Sequence, residues 1–104
     1  PQGNPVAVHV MDGAFLVSFD VAMKKAYTSV AVKMSTMELS ALAQPGGTFY
    51  GVDKMDGGKI VIFGGGVPLK CEDTIIGGLG ISGGTGEEDH SLAEYGLSVL
   101  NEVL

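Results

Sequence analysis

The chain has 104 residues, 45% hydrophobic and 17% charged, a size and balance suited to one globular domain that buries about two-thirds of its unfolded surface. Its formal net charge is −6 and its six basic residues are all lysine, so both the cationic surface and the guanidinium donors typical of nucleic-acid binding are missing. A single cysteine, Cys71, excludes an intrachain disulfide, and no apolar run approaches bilayer-spanning length, which together predict a reducing, cytoplasmic setting away from the membrane.

The opening "PQGN" reads as a turn into an alternating strand, "PVAVHV", with Val6, Val8 and Val10 on one face and His9 on the other. A hairpin turn needs a strand before it, so an upstream strand is expected to have been removed or to belong to another chain. From Ala14 to Lys33, Leu16, Phe19, Met23, Ala26, Tyr27 and Val30 recur at helical spacing and predict a long helix with one buried stripe. Ser35-x-x-Glu38 has the form of a capping box and opens a second, short helix that "QPGG" stops. Residues 59–63, 67–71 and 74–82 then read as three strands of an antiparallel meander, joined by "GGG" and by "ED". A terminal helix closes the chain, with Leu92, Gly96, Val99, Leu100 and Val103 as its apolar stripe and Glu87, Glu88 and Asp89 in its first turn, where the helix dipole favours negative charge. The predicted class is α+β, with helices packed on an antiparallel sheet.

Few motifs point to chemistry. Gly78-x-Gly80-x-x-Gly83 has the spacing of a dinucleotide fingerprint, but the 21 residues after Gly83 read as one helix and leave no room for the second strand that such a site requires. A phosphate loop fails as well, because Gly58-Lys59 is followed by Ile60. Glycines inside a strand instead mark a bulge, or a place where another backbone or a flat ligand comes close. No nucleophile elbow and no paired metal-ligand spacing is present. His9 is then either a surface residue or a cofactor ligand, and His90 either a solvated helix residue or a ligand. Cys71 reads as an inert small hydrophobe, and Asp12 as a helix cap. Lys24 and Lys25 read as a solvated helix face that could also meet a carboxylate.

The blocks "GNPVAVHVMDGAFLVSFDVAMKKAYTSV", "ALAQPGGTFYGV", "GGKIVIFGGGVPLK" and "IIGGLGISGGTGEEDHSLAEYG" resemble, in order, those of the GlcG/HbpS family, which includes the C-terminal domain of PduO-type proteins. The resemblance implies a profilin- or PAS-like α+β domain over residues 1–104, with an antiparallel sheet of about five strands, helices on both sides and assembly into homo-oligomers. It also implies a helix and a strand before "GNPV", so the chain is expected to be truncated at its N-terminus. The implied function is a haem- or tetrapyrrole-binding module without turnover of its own. The alternative is an accessory or catalytic protein of cobalamin-dependent glycol metabolism, acting on a corrinoid or a small metabolite; the base-off signature D-x-H-x-x-G is absent, which counts against a corrinoid held through a lower histidine. A flat macrocycle needs close backbone approach, apolar walls and an axial donor. The corresponding residues here are His9 as the first candidate iron ligand and His90 as the second, Lys25 for a propionate, and Met11, Gly65, Gly66, Pro68, Gly83, Gly84 and Thr85 around the ring.

Overall fold

Small residues decide how the layers of this molecule meet. The computed structural model describes residues 17–102 together with the backbone of 7–10. Its elements run β1 (Ala7–Val10), α1 (Val17–Ala31), α2 (Thr36–Leu42), β2 (Gly66–Cys71), β3 (Thr74–Ser82) and α3 (Gly86–Asn101). The loop between α2 and β2 carries two single turns of 3-10 helix, Val52–Lys54 and Asp56–Gly58. It is tied to α1 by a hydrogen bond that the Tyr27 hydroxyl donates to Asp56. That bond, then desolvation, then the negative charge of Asp56 raise the Tyr27 phenol above its ordinary pKa.

The described strands form a sheet in the order β1-β3-β2. β2 and β3 are an antiparallel hairpin turned by Glu72 and Asp73, both left-handed at φ 50° and 69°, as a tight hairpin turn that matches strand twist requires. A bulge between Leu69 and Lys70 shifts the register near that turn. β1 pairs with β3 in parallel, with Ala7 opposite Leu79 and His9 opposite Ile81. The expected wholly antiparallel sheet is thus corrected to a mixed one, because α1 intervenes as the crossover that parallel strands need.

The predicted strand over 59–63 is also corrected. Ile60 and Val61 are buried there, but without strand pairing. The Thr28 side chain stands in for a partner strand: its hydroxyl accepts from the Val61 amide at 2.9 Å and donates to the Lys59 carbonyl at 3.3 Å. A side chain of α1 thereby satisfies backbone groups that would otherwise seek a strand.

The helices cover opposite faces of the sheet. On one face α1 lies so close that a Cβ on Gly80 would stand 2.0 Å from the Ala22 carbonyl oxygen, and one on Gly78 2.5 Å from that of Ala26. Side chains of any size are excluded from such a contact. The sheet-facing side of α1 is accordingly Ser18, Ala22, Ala26 and Ser29, all buried, whereas Phe19 is 58% exposed. Of the predicted stripe, Phe19 and Met23 are therefore turned away from the sheet, whereas Ala26 and Val30 lie against Gly78. On the other face Val67, Leu79, Ile81 and Ala93 form a core, with Leu97 packed against it. α3 is rotated relative to its predicted stripe too: Ala93 is fully buried while Leu92 and Val99 are 38% and 44% exposed.

Local signals place the helix starts. The Ser35 hydroxyl accepts from the Glu38 amide at 3.1 Å, and Thr85 with Glu88 forms a complete capping box at α3, each cap contributing about 1 kcal/mol. At the outer edge of β2 the Gly66 amide donates to the Thr36 hydroxyl at 2.9 Å, and Pro68 has no amide to offer.

Candidate functional site

The chemistry collects at the end of the sheet where β3 runs into α3. Lys25 comes from the small-residue side of α1 and is only 1% exposed. Its ammonium donates to the Ile81 carbonyl and to Asp89 Oδ2, both at 2.8 Å. The Phe63 ring covers it, with the centroid 5.1 Å from Nζ. Asp89, also 1% exposed, uses its other oxygen to accept from the Gly84 amide at 3.0 Å. One buried ion pair thus ties α1, β3, α3 and the Gly83-Gly84 loop together.

Glycine is required around that pair. Gly65 has φ 131°, and a Cβ there would meet the Ile81 carbonyl oxygen at 2.4 Å and the Lys25 ammonium at 2.8 Å. Gly83, at φ 119°, turns the chain out of β3. Thr85 then starts α3, its hydroxyl accepting from the Glu88 amide at 3.1 Å while Glu88 Oε1 accepts from the Thr85 amide at 2.8 Å. The backbone bond from Thr85, followed by the bond to its hydroxyl, holds the Glu88 carboxyl below its ordinary pKa.

Beside this cluster lies an open, mainly apolar depression of about 530 Å³. Met37 of α2, Phe63, Gly64, Thr85, Gly86 and Glu87 line it. The Met37 thioether methyl lies against Gly64, 2.8 Å from where a Cβ would stand. A second groove of about 330 Å³ runs between α2, β2 and α3 and mixes Lys33 and Lys70 with Glu38 and Glu94.

Of the residues predicted from sequence, the structure brings Lys25, Gly65, Gly83, Gly84 and Thr85 to one end of the sheet. Lys25 is not on a solvated helix face, and its ammonium is spent on Asp89 and Ile81 rather than free for a propionate. Gly66 is buried under the Lys25 carbonyl, at 2.3 Å from a notional Cβ, and has a packing role. Pro68 lines the second groove. His9 lies in register with Ile81, whose carbonyl Lys25 holds; its side chain, Met11 and Asp12 lie outside what is described. His90 sits half-buried on α3, with Nε2 3.5 Å from Glu94 and its buried Nδ1 without a hydrogen-bond partner among the described residues. It does not line the depression. Among the described residues no three His, Cys, Asp or Glu side chains gather as they would around a bare metal ion. No helix of the described residues is long and apolar enough to cross a membrane.

Sequence reasoning missed Phe63, Met37 and the partnership of Lys25 with Asp89. The pair is separated by 64 residues, so no local spacing reveals it. The hydrophobic run "KIVIF" pointed to a strand and hid that the side chain of its last residue, Phe63, covers a cation.

A family model described as haem degrading protein HbpS-like matches residues 1–98. The chain is 41% identical over 101 residues to an uncharacterized 15.0 kDa protein of Citrobacter freundii, covering 97% of this chain and 71% of that protein. It is 47% identical over 100 residues to the corrinoid adenosyltransferase PduO of Citrobacter freundii, covering 96% of this chain but only 30% of that longer protein. Among solved structures, a PduOC:heme complex matches with a TM-score of 0.78 at 48% identity, over 85% of this chain and 64% of that one. A double mutant of HbpS from Streptomyces reticuli matches with a TM-score of 0.75 at 28% identity, over 86% of this chain and 58% of that one. This chain therefore spans about three-fifths of those solved chains. With nearly its whole length matched by the family and its layers matched by the solved relatives, the chain belongs to the HbpS-like family.

Proposed function

We propose that this chain is a haem- or tetrapyrrole-binding module with no turnover of its own. The observation that carries the reading is the 48% identity to a PduOC whose structure was solved as a heme complex. The local geometry supports it. A depression of about 530 Å³ falls in the size range of cofactor pockets, and beside the polar Ser40, Thr85 and Glu87 its walls include an aromatic ring, a thioether and glycine backbone, which suit a flat apolar macrocycle. His9 is the axial donor in this reading, because its register with Ile81 sets it at the same end of the sheet. Bound haem iron would supply a redox-active, ligand-binding centre, while the protein residues position it, limit water and set its axial field.

The rest of the reading concerns context. The described strands belong to a single domain with a sheet of about five strands, the chain assembles with copies of itself, and it works in a reducing cytoplasm where the exposed Cys71 stays a thiol.

Titration with haemin tests the proposal. A Soret band should rise to saturation near one haem per chain at micromolar concentration, and a His9→Ala variant should lose the band or shift it. An unchanged haemin spectrum with the wild-type protein would refute haem binding. The second reading, a role with a corrinoid or small metabolite of glycol metabolism, is favoured by the 47% identity to PduO. It predicts a spectral change on addition of hydroxocobalamin with none on addition of haemin.

A further inference from the structure

We infer that Phe63 is the platform on which the face of the tetrapyrrole ring stacks, backed by the buried ion pair of Lys25 and Asp89; this rests on the haem reading above. Phe63 is 49% exposed although it belongs to an otherwise buried segment, Ile60 and Val61 before it and Gly64 after it. A lone exposed phenylalanine is unremarkable on a protein surface. This one is held in place on one side and open on the other. Beneath it stands the Lys25 ammonium at 5.1 Å, fixed by two hydrogen bonds of 2.8 Å, and its Cβ lies against Gly86 at the start of α3. The open side forms part of the wall of the depression.

The chemistry of that arrangement favours a flat conjugated ligand. A cation against one face of an aromatic ring is attracted by its π density and polarises it inward. The outward face is then less electron-rich and becomes a better partner for offset stacking on an extended π system. Met37 supplies a soft apolar wall beside it, of the kind that favours sulfur contacts with ring edges. Glu87 on the rim repels carboxylates, so the propionates of a bound ring are directed away from the start of α3 toward solvent. The Lys25 ammonium acts through Phe63 as a positioning group and does not touch the ligand.

Metal-free protoporphyrin IX isolates stacking from iron ligation, and its fluorescence reports binding. The wild-type protein should bind it, and Phe63→Leu, which keeps apolar bulk but removes the ring, should weaken it by roughly fivefold or more, the scale expected of an aromatic pair. Phe63→Ala should weaken it at least as much, with circular dichroism confirming that both variants fold. Equal affinity of folded Phe63→Leu and wild type for protoporphyrin overturns the platform, as does a wild type that binds haemin but not protoporphyrin. A wild type that binds neither defeats the haem reading itself, so the two failures are distinguishable.

Discussion

Lys25 and Lys24 are neighbours in sequence with opposite fates. Lys24 reaches across one helical turn to Asp20 at 2.9 Å with its side chain 41% exposed, a pair of little energetic consequence. Lys25, one position on, points toward the sheet and is enclosed. An ammonium carries three protons, and here two meet oxygens at 2.8 Å while an aromatic ring covers the remaining side. A buried charge in this state is tolerable only while its partner remains. Lys25→Met or Asp89→Asn alone should therefore cost roughly 3–5 kcal/mol in urea unfolding. The double replacement Lys25→Met with Asp89→Leu should recover a large part of that loss. Additive losses would mean that the two side chains are not coupled. Nothing in either residue's immediate sequence announces the pair, since Asp89 is one of three acids in the first turn of α3 and only its rotation toward the sheet singles it out.

The rotation of each helix is settled by the sheet it meets. Helix existence and the Ser35 cap of α2 were legible, because those signals are local: a hydroxyl at the cap, a carboxylate three residues on, and glycine or proline at the stop; the Thr85–Glu88 capping box of α3 was not read from the sequence. The buried face of α1 was legible only in part, at Ala26. It depends on Gly66, Gly78 and Gly80, which lie dozens of residues away and remove the space that large side chains would fill. Periodicity alone preferred Phe19 and Met23 along with Ala26; close backbone contact keeps Ala26 and selects Ala22 and Ser29 in place of the larger two. Gly80→Ala should consequently cost more than the 1–3 kcal/mol typical of mild overpacking, because its Cβ meets backbone that cannot rotate away. Gly96→Ala, whose Cβ would meet only the end of Leu79 at 2.9 Å, should cost less. Thermal midpoints of the two variants decide the matter, and equal midpoints would contradict the close-contact account. In the site, the glycine loops were readable as places of close approach, whereas Phe63 and Met37 were not, since they meet only once α2, the loop before β2 and the start of α3 are packed together.

At the scale of the molecule, a chain of 104 residues, with a thin core on each side of a small sheet among the described residues, has modest stability of its own. A ligand that binds only the folded state adds about 2.7 kcal/mol when present at a hundred times its dissociation constant. For a domain of this size that corresponds to a rise in melting midpoint on the order of 10–20 °C. Melting curves with and without saturating haemin should display the shift, and an unchanged midpoint would mean that the pigment is held by unfolded or non-specific surface. The same domain-scale view gives the margin of the sheet at β2 a meaning beyond its own hydrogen bonds. Thr36 occupies the Gly66 amide and Pro68 supplies none, so a foreign strand arriving there finds acceptors with few donors to complement its own carbonyls. Among the described residues, recruitment of a further strand, whether in assembly or in misassembly, is thereby disfavoured at this border.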